Sequence, residues 1–435
     1  MRGSRWKAAL TVAVAASLLV SACGNSKGAS VKADSNGGKS AKVDAPGVTD
    51  TEIKVGGTAS VTNPLGGKYS DAFVGAKAYF DMINDADGIY GRKIVMAADR
   101  DDKVANNKSQ IEGLLTQDHV FAILPVASLL FTGAQTAVDG GVPTFGWTIN
   151  PEWEGNAKDP RSNLFGQSGS FLCFTCAGPA LPWLALQIHA HKIGVLAYAV
   201  PQSSTCADGT KAGFEKYGAA ADAKVVYVDQ SLSYGVADLS VQVSRMKAAG
   251  VDLVTTCMDN NGVVTLAKEM KKQQLKAVQS LPNAYDHEFL KEFGDLFEGS
   301  YVRTDFVPFE ASDKPAGLTK FLAAMKKLNT DPTENSLVGW LNADLFVTGL
   351  KAAGEHFDRK TVIDAINKMT DYTADGILNG VDWTKQHTQL KTPGEACQVF
   401  LKVHASKFEP VFTEPGKPFV CAVDDAGKLT TRYNA

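Results

Sequence analysis

The 435-residue chain has no apolar run of the ~20 residues that a bilayer-spanning helix needs. It also has no basic excess: 44 Lys and Arg stand against 47 Asp and Glu, a net charge of −3, which excludes a basic nucleic-acid-binding protein. Histidine is scarce, with seven in all, and the nearest pair, His189 and His191, would face different sides of a helix. GxSxG, HExxH, a P-loop and the dinucleotide motif GxGxxG are all missing. No second Cys/His pair stands at zinc-finger spacing beside Cys173-Phe174-Thr175-Cys176, and no thioredoxin-like context surrounds that CxxC. An extracellular enzyme is thus the weakest reading, and neither a cofactor nor a metal is expected.

What is present begins at the N-terminus. Arg2, Arg5 and Lys7 precede residues 8–20, about thirteen residues of mostly Ala, Val and Leu. A basic start, a short apolar middle and small residues after it predict a secretory signal over residues 1–22. Val20-Ser21-Ala22-Cys23 resembles the lipobox of bacterial lipoproteins. That resemblance implies diacylglyceryl modification of Cys23, cleavage just before it, and an exported protein lipid-anchored on the outer face of the cell membrane. Residues 24–48 are rich in Gly, Ser, Lys, Ala and Asp and contain no aromatic residue, so they read as a flexible tether. Losing residues 1–22 removes three basic residues and no acid, leaving 41 basic against 47 acidic and a net charge of −6.

Six cysteines remain after Cys23. An even number in an exported chain predicts disulfides, although six allow fifteen connectivities. Pairing of neighbours would give Cys173–Cys176, Cys206–Cys257 and Cys397–Cys421. Cys206 and Cys257 each follow an apolar run and would meet where two strands end side by side.

From Thr51 onward, short apolar runs alternate with helical patterns of about a dozen residues. Strand candidates are residues 53–58, "RKIVMAADRDD", "HVFAILPVAS" and "VPTFGW", with helices in "YSDAFVGAKAYFDMINDADG", stopped by Gly88, and over 105–117 and 129–140 between them. Residues 148–167 break the pattern. It then restarts with helices over 177–190, 209–217, 238–249, 263–272 and 287–293, interleaved with "KIGVLAYA", "AKVVYV", "VDLVTTC", "AVQSLP" and "GSYVRTDF". Two α/β halves with parallel sheets follow from this alternation. Helices over 317–328, 336–353 and 359–369 come next, and "CQVFLKVHASKFEPVF" reads as a hairpin.

The segment "EIKVGGTASVTNPLGGKYSDAFVGAKAYFDMINDADGIYGRKI" resembles the start of type I periplasmic substrate-binding proteins of the leucine/isoleucine/valine-binding group. The likeness continues through "HVFAILPVAS", "VPTFGWTINP", "KIGVLAYA", "VDLVTTC" and "GWLNADLF". It implies two Rossmann-like α/β lobes joined by three crossovers, with the ligand in the cleft between them. Lobe one would hold residues 49–167 plus 307–383, and lobe two residues 168–306 plus 384–435. It implies a monomer that captures a small-molecule solute, an amino acid or a related polar or aromatic compound. The solute would pass to an ABC permease of the branched-chain amino-acid type. A solute sensor signalling to a separate partner is the alternative, because fold does not fix function.

Cleft residues in such a fold follow the strands, where helix N-termini favour a carboxylate. Residues 60–68, 127–131 and 146–149 qualify. Mapped by position, the resemblance implies Ala127, Ser128, Trp147 and Thr148 as contacts for a ligand α-carboxylate. Ser128 also fits the N-cap of the helix that follows, and Trp147 also fits a core or lobe-interface position. In the second lobe the family's two loop tyrosines are missing. Gln167, Ser168 and Ser170 stand at the first loop, and Ser204, Thr205 or Cys206 at the second. Asp259, just after a strand, would bind an α-ammonium or cap the next helix. Tyr285 and Trp340 are further cleft candidates, with core packing the stronger reading for Trp340.

Overall fold

The computed structural model describes residues 41–156, 158–169, 177–281, 284–387 and 397–434. Cys23, the expected signal segment, Ser170, Cys173 and Cys176 lie outside these residues.

The first sheet is wholly parallel. Strands β1 (Glu52–Ala59), β2 (Lys93–Asp101), β3 (Ala122–Ala127), β4 (Thr144–Gly146) and β5 (Leu164–Gly166) lie in the order β2-β1-β3-β4-β5. The first three connections carry α1 (Asp71–Asp85), α2 (Asn107–Thr116) and α3 (Ala134–Asp139). Strands β3 to β5 are buried throughout, as expected of strands covered on both faces.

The second sheet begins after α4 (Ala180–Gln187). Strands β6 (Lys192–Tyr198), β7 (Lys224–Leu232), β8 (Leu253–Cys257), β9 (Val278–Leu281) and β10 (Tyr301–Thr304) alternate with α5 (Pro201–Ala221), α6 (Ser240–Ala249), α7 (Asn260–Gln273) and α8 (His287–Phe293). The chain then adds α9 (Ala316–Lys327), α10 (Glu334–Ala353), α11 (Arg359–Ile366) and the short α12 (Trp383–Gln386). It ends in β11 (Cys397–His404), β12 (Lys407–Val411), β13 (Phe419–Val423) and β14 (Leu429–Asn434). The order is β14-β13-β11-β10-β9-β8-β6-β7, with β12 also on β11. Pairings from β7 to β10 are parallel and the rest antiparallel. Two α/β lobes result, and the chain passes between the sheets after β5, after β10 and after α12. Among the described residues no helix is long and apolar enough to cross a membrane.

Helix α10 packs on α1 at a crossing that tolerates no side chain. A Cβ on Gly75 would stand 1.7 Å from the Ser336 carbonyl oxygen, and one on Gly339 would stand 1.9 Å from that of Ala72. The two backbones therefore touch, and both helix N-termini come to the same end of the first sheet. Trp340, on α10, is 1% exposed and packs edge-on against Tyr79 and Phe321. It is a core residue, as its stronger reading had it.

Several elements depart from the sequence reading, and β5 forms within the stretch expected to be irregular. The "PQSSTCADG" stretch is not a loop but the start of α5, which begins eight residues before the expected 209. Pro201 occupies its first turn, where the missing N–H costs nothing, and the Ser204 and Thr205 hydroxyls donate back to the Pro201 carbonyl at 3.1 and 2.8 Å. The helix expected over 129–140 forms only from Ala134, because Gly133 N–H donates to Asn107 Oδ1 across the fold. Beyond the expected hairpin, β13 and β14 complete the sheet edge. Two expected disulfides are present. Cys397 faces Cys421 across β11 and β13, and Cys257, ending β8, joins Cys206 within α5 rather than at a second strand end.

Candidate functional site

A cavity opens where the carboxyl ends of both sheets meet. One wall is Leu65, Lys68, Tyr69 and Asp71 after β1, Trp147 after β4, and Thr333, Glu334 and Asn335 at the start of α10. The other wall is Asp259 and Asn260 after β8, with Tyr285 and Asp286 after β9. Lys68 reaches across to pair with Glu288 on α8, so the two walls are in contact.

Each wall residue is placed by local chemistry. Asp286 caps α8, accepting from the Glu288 and Phe289 amides. Thr333 and Ser336 form a capping box, and the Thr333 hydroxyl donates to Asp71 at 2.9 Å. Asp259 caps α7 through Oδ1, which accepts from the Gly262 amide and the Tyr198 hydroxyl. Its Oδ2 is buried and has no hydrogen-bond partner among the described residues. An acceptor left in that state costs about 1–3 kcal/mol, more when charged.

Aromatic rings flank these carboxylates. Tyr69 and Trp147 have centroids 5.6 Å apart, and Tyr198 and Tyr234 4.8 Å. Burial, and then the Asp259 charge, push the Tyr69 phenol above its ordinary range. Burial also raises the Asp71 carboxyl, against the Thr333 hydrogen bond and the charge of Lys68. Glu334 is pushed up to about 8 by burial and by the charges of Asp305 and Asp286.

The residues singled out from sequence divide into two groups. Trp147, Asp259 and Tyr285 line the cavity. Tyr285 is buried, and its hydroxyl donates to Glu310 and accepts from the Phe309 amide, both at 2.6 Å. The other described ones are engaged inside the protein. Ser128 Oγ lies between Thr58 Oγ1 and Asn107 Nδ2, at 3.1 and 3.0 Å. The Leu129 amide donates to Ser60 Oγ, and the Trp147 amide to the Val126 carbonyl. Thr148 is fully buried, and its amide faces Gln167 Oε1 at 3.4 Å. Ser168 donates to Asp305. Ala127 is buried within an apolar cluster with Tyr69 and Trp147. Ser204 and Thr205 satisfy their own helix start.

Sequence reasoning missed Tyr69, Asp71, Asp286 and Glu334. Tyr69 and Asp71 directly follow the flagged segment 60–68. The Thr333-x-x-Ser336 spacing marked a helix start, yet nothing local said that it faces the cavity.

The profile of a family described as "Periplasmic binding protein" matches residues 52–402. No curated protein sequence matches. Solved structures with similar folds include a branched-chain amino acid ABC transporter protein from Thermus thermophilus with bound valine. Its TM-score is 0.67 at 19% identity, over 83% of this chain and 95% of that one. Another is the branched-chain amino acid transporter substrate-binding protein LivJ from Streptococcus pneumoniae in complex with isoleucine, with TM-score 0.67, 16% identity, and 88% and 100% covered. A third is a fatty acid ABC transporter substrate-binding protein from Thermomonospora curvata, with TM-score 0.66, 20% identity, and 84% and 93% covered.

Proposed function

The chain belongs to the periplasmic binding protein family, and from that premise we propose that it captures a small solute in the cavity between its lobes and delivers it to an ABC importer. The observation that carries this reading is the buried, unpartnered Oδ2 of Asp259 on the wall of that cavity. The solute is an amino acid or a related small polar or aromatic compound, held between Trp147 and Tyr69 on one side and Asp259 and Tyr285 on the other. The lobes, residues 49–167 plus 307–383 and residues 168–306 plus 384–435, turn about the three crossings and close on it. Cys23 carries the lipid that anchors the chain outside the cell membrane; of the tether expected over residues 24–48, the end from Val43 onward packs on the core, and the part before it holds the lobes away from the surface.

Thermal unfolding against a panel of amino acids, amines, small amides, aromatic acids and fatty acids tests the reading. A solute present at a hundred times its dissociation constant adds about 2.7 kcal/mol to the folded state. At least one class is expected to raise the unfolding midpoint. A midpoint that no class moves would contradict solute capture.

A further inference from the structure

We infer that the solute is an organic amine or guanidine that carries no carboxylate of its own. This rests on the solute-capture reading and names the chemistry of the same cavity.

Two sets of observations lead there. The first concerns the groups that would receive a carboxylate. The amides of Leu129, Trp147 and Thr148, and the hydroxyl of Ser128, all bond within the protein. The Ile149 amide does too, donating to the Trp147 carbonyl at 3.0 Å. Among the described lining residues the one cation is Lys68, and Glu288 already holds it. The groups that the resemblance assigns to a carboxylate are thus already engaged, which leaves an anion the first-turn amides of α7 and α10.

The second set concerns acceptors. Four carboxylates line the cavity: Asp71, Asp259, Asp286 and Glu334. Asp71 has the Thr333 hydroxyl, and Asp286 has two helix amides. Asp259 Oδ2 has no partner among the described residues. Glu334 makes no hydrogen bond or ion pair among the described residues, and the charges it feels from Asp305 and Asp286 are of its own sign. Two acceptors that lack donors fit N–H groups, which a quaternary ammonium does not supply. The Tyr69 and Trp147 rings beside them add attraction for a cation over an aromatic face.

Glu334 supports the same conclusion. Burial and the charges of Asp305 and Asp286 push its carboxyl up to about 8, and Asp71, Asp286 and Lys68 line the cavity with it. A bound cation favours the ionised form, so binding should release a proton.

The test is calorimetric titration of the purified chain at pH 7 with matched pairs. Each pair is an amino acid and the amine left when its carboxylate is removed: leucine and isopentylamine, lysine and cadaverine, arginine and agmatine, phenylalanine and phenethylamine. In at least one pair the amine is expected to bind roughly tenfold or more tightly than its amino acid. Its heat should vary with the ionisation enthalpy of the buffer, and Glu334→Gln should abolish that variation. If the amino acid binds more tightly in every pair that binds, the inference is overturned and solute capture stands. The same holds if no pair binds but another class in the thermal panel does. If no pair binds and no panel solute raises the midpoint, both fall.

Discussion

Replacing Cys206 and Cys257 together by serine is expected to lower the stability of the folded chain by about 4 kcal/mol. The bond joins residues 51 apart in sequence, and in chain-entropy terms opening a loop of that length returns about that much freedom to the unfolded state. Local structure should survive the change. Ser203 Oγ accepts from the Tyr198 amide at 2.8 Å and donates to the Cys257 carbonyl at 2.5 Å, so the start of α5 stays tied to the ends of β6 and β8. The loss should therefore appear as a lower denaturant midpoint with a somewhat steeper slope, because the unfolded chain freed of the loop exposes more surface. Coincident unfolding curves for the variant and the parent would show that the bond adds nothing.

The second large effect is a dependence on pH. Burial and like charge push the Glu334 carboxyl up to about 8, above the ordinary glutamate value of 4.5. The folded state therefore binds this proton more tightly than the unfolded state does. Its contribution to stability is complete below about pH 4.5 and is lost as pH rises through about 8. For a fully buried group a separation of that size is worth about 5 kcal/mol. Glu334 is only partly buried, and screening by water reduces the effect to a fraction of that. Glutamine at this position imitates the protonated acid at every pH. Glu334→Gln and the parent should be equally stable at pH 4, and the variant should be the more stable at pH 9. Denaturant unfolding at both values gives the comparison, and the other titrating groups cancel between the two proteins. A difference that does not change with pH would show that Glu334 ionises as an ordinary glutamate.

Much of the architecture was legible because its signals are local. Alternation of short apolar runs with helical periodicity placed β1 to β4 and β6 to β10, while β5 lies in the stretch read as irregular, and α8 was placed to the residue at His287–Phe293. The start of α5 was obscured by a Ser-Ser-Thr run that reads as loop, although the Pro201 before it was the signal of a first helical turn. The last two strands were hidden by the Gly, Pro and Asp residues that separate them.

The cavity was legible only where it follows a strand directly, as Trp147 and Asp259 do. Tyr69, Asp71 and Glu334 meet there for a different reason. Gly75 and Gly339 let α1 and α10 cross in backbone contact, which brings together the starts of two helices more than 250 residues apart in sequence. No spacing along the chain records that meeting. The internal engagement of Ser128 and Thr148 is likewise a product of tertiary packing, since a hydroxyl after a strand reads the same whether it faces a cleft or a buried Asn107.

The central claim is that solute binds at this cavity. The measurement that tests it most directly is the affinity of the purified chain for its best panel solute, before and after Trp147→Ala and Asp259→Asn. Asparagine keeps the Oδ1 that caps α7, so the fold is retained while the charge is lost. Each substitution is expected to weaken binding by about tenfold or more, with the Asp259→Asn protein melting close to the parent when no solute is present. Unchanged affinity in both variants would place the solute elsewhere and contradict the account.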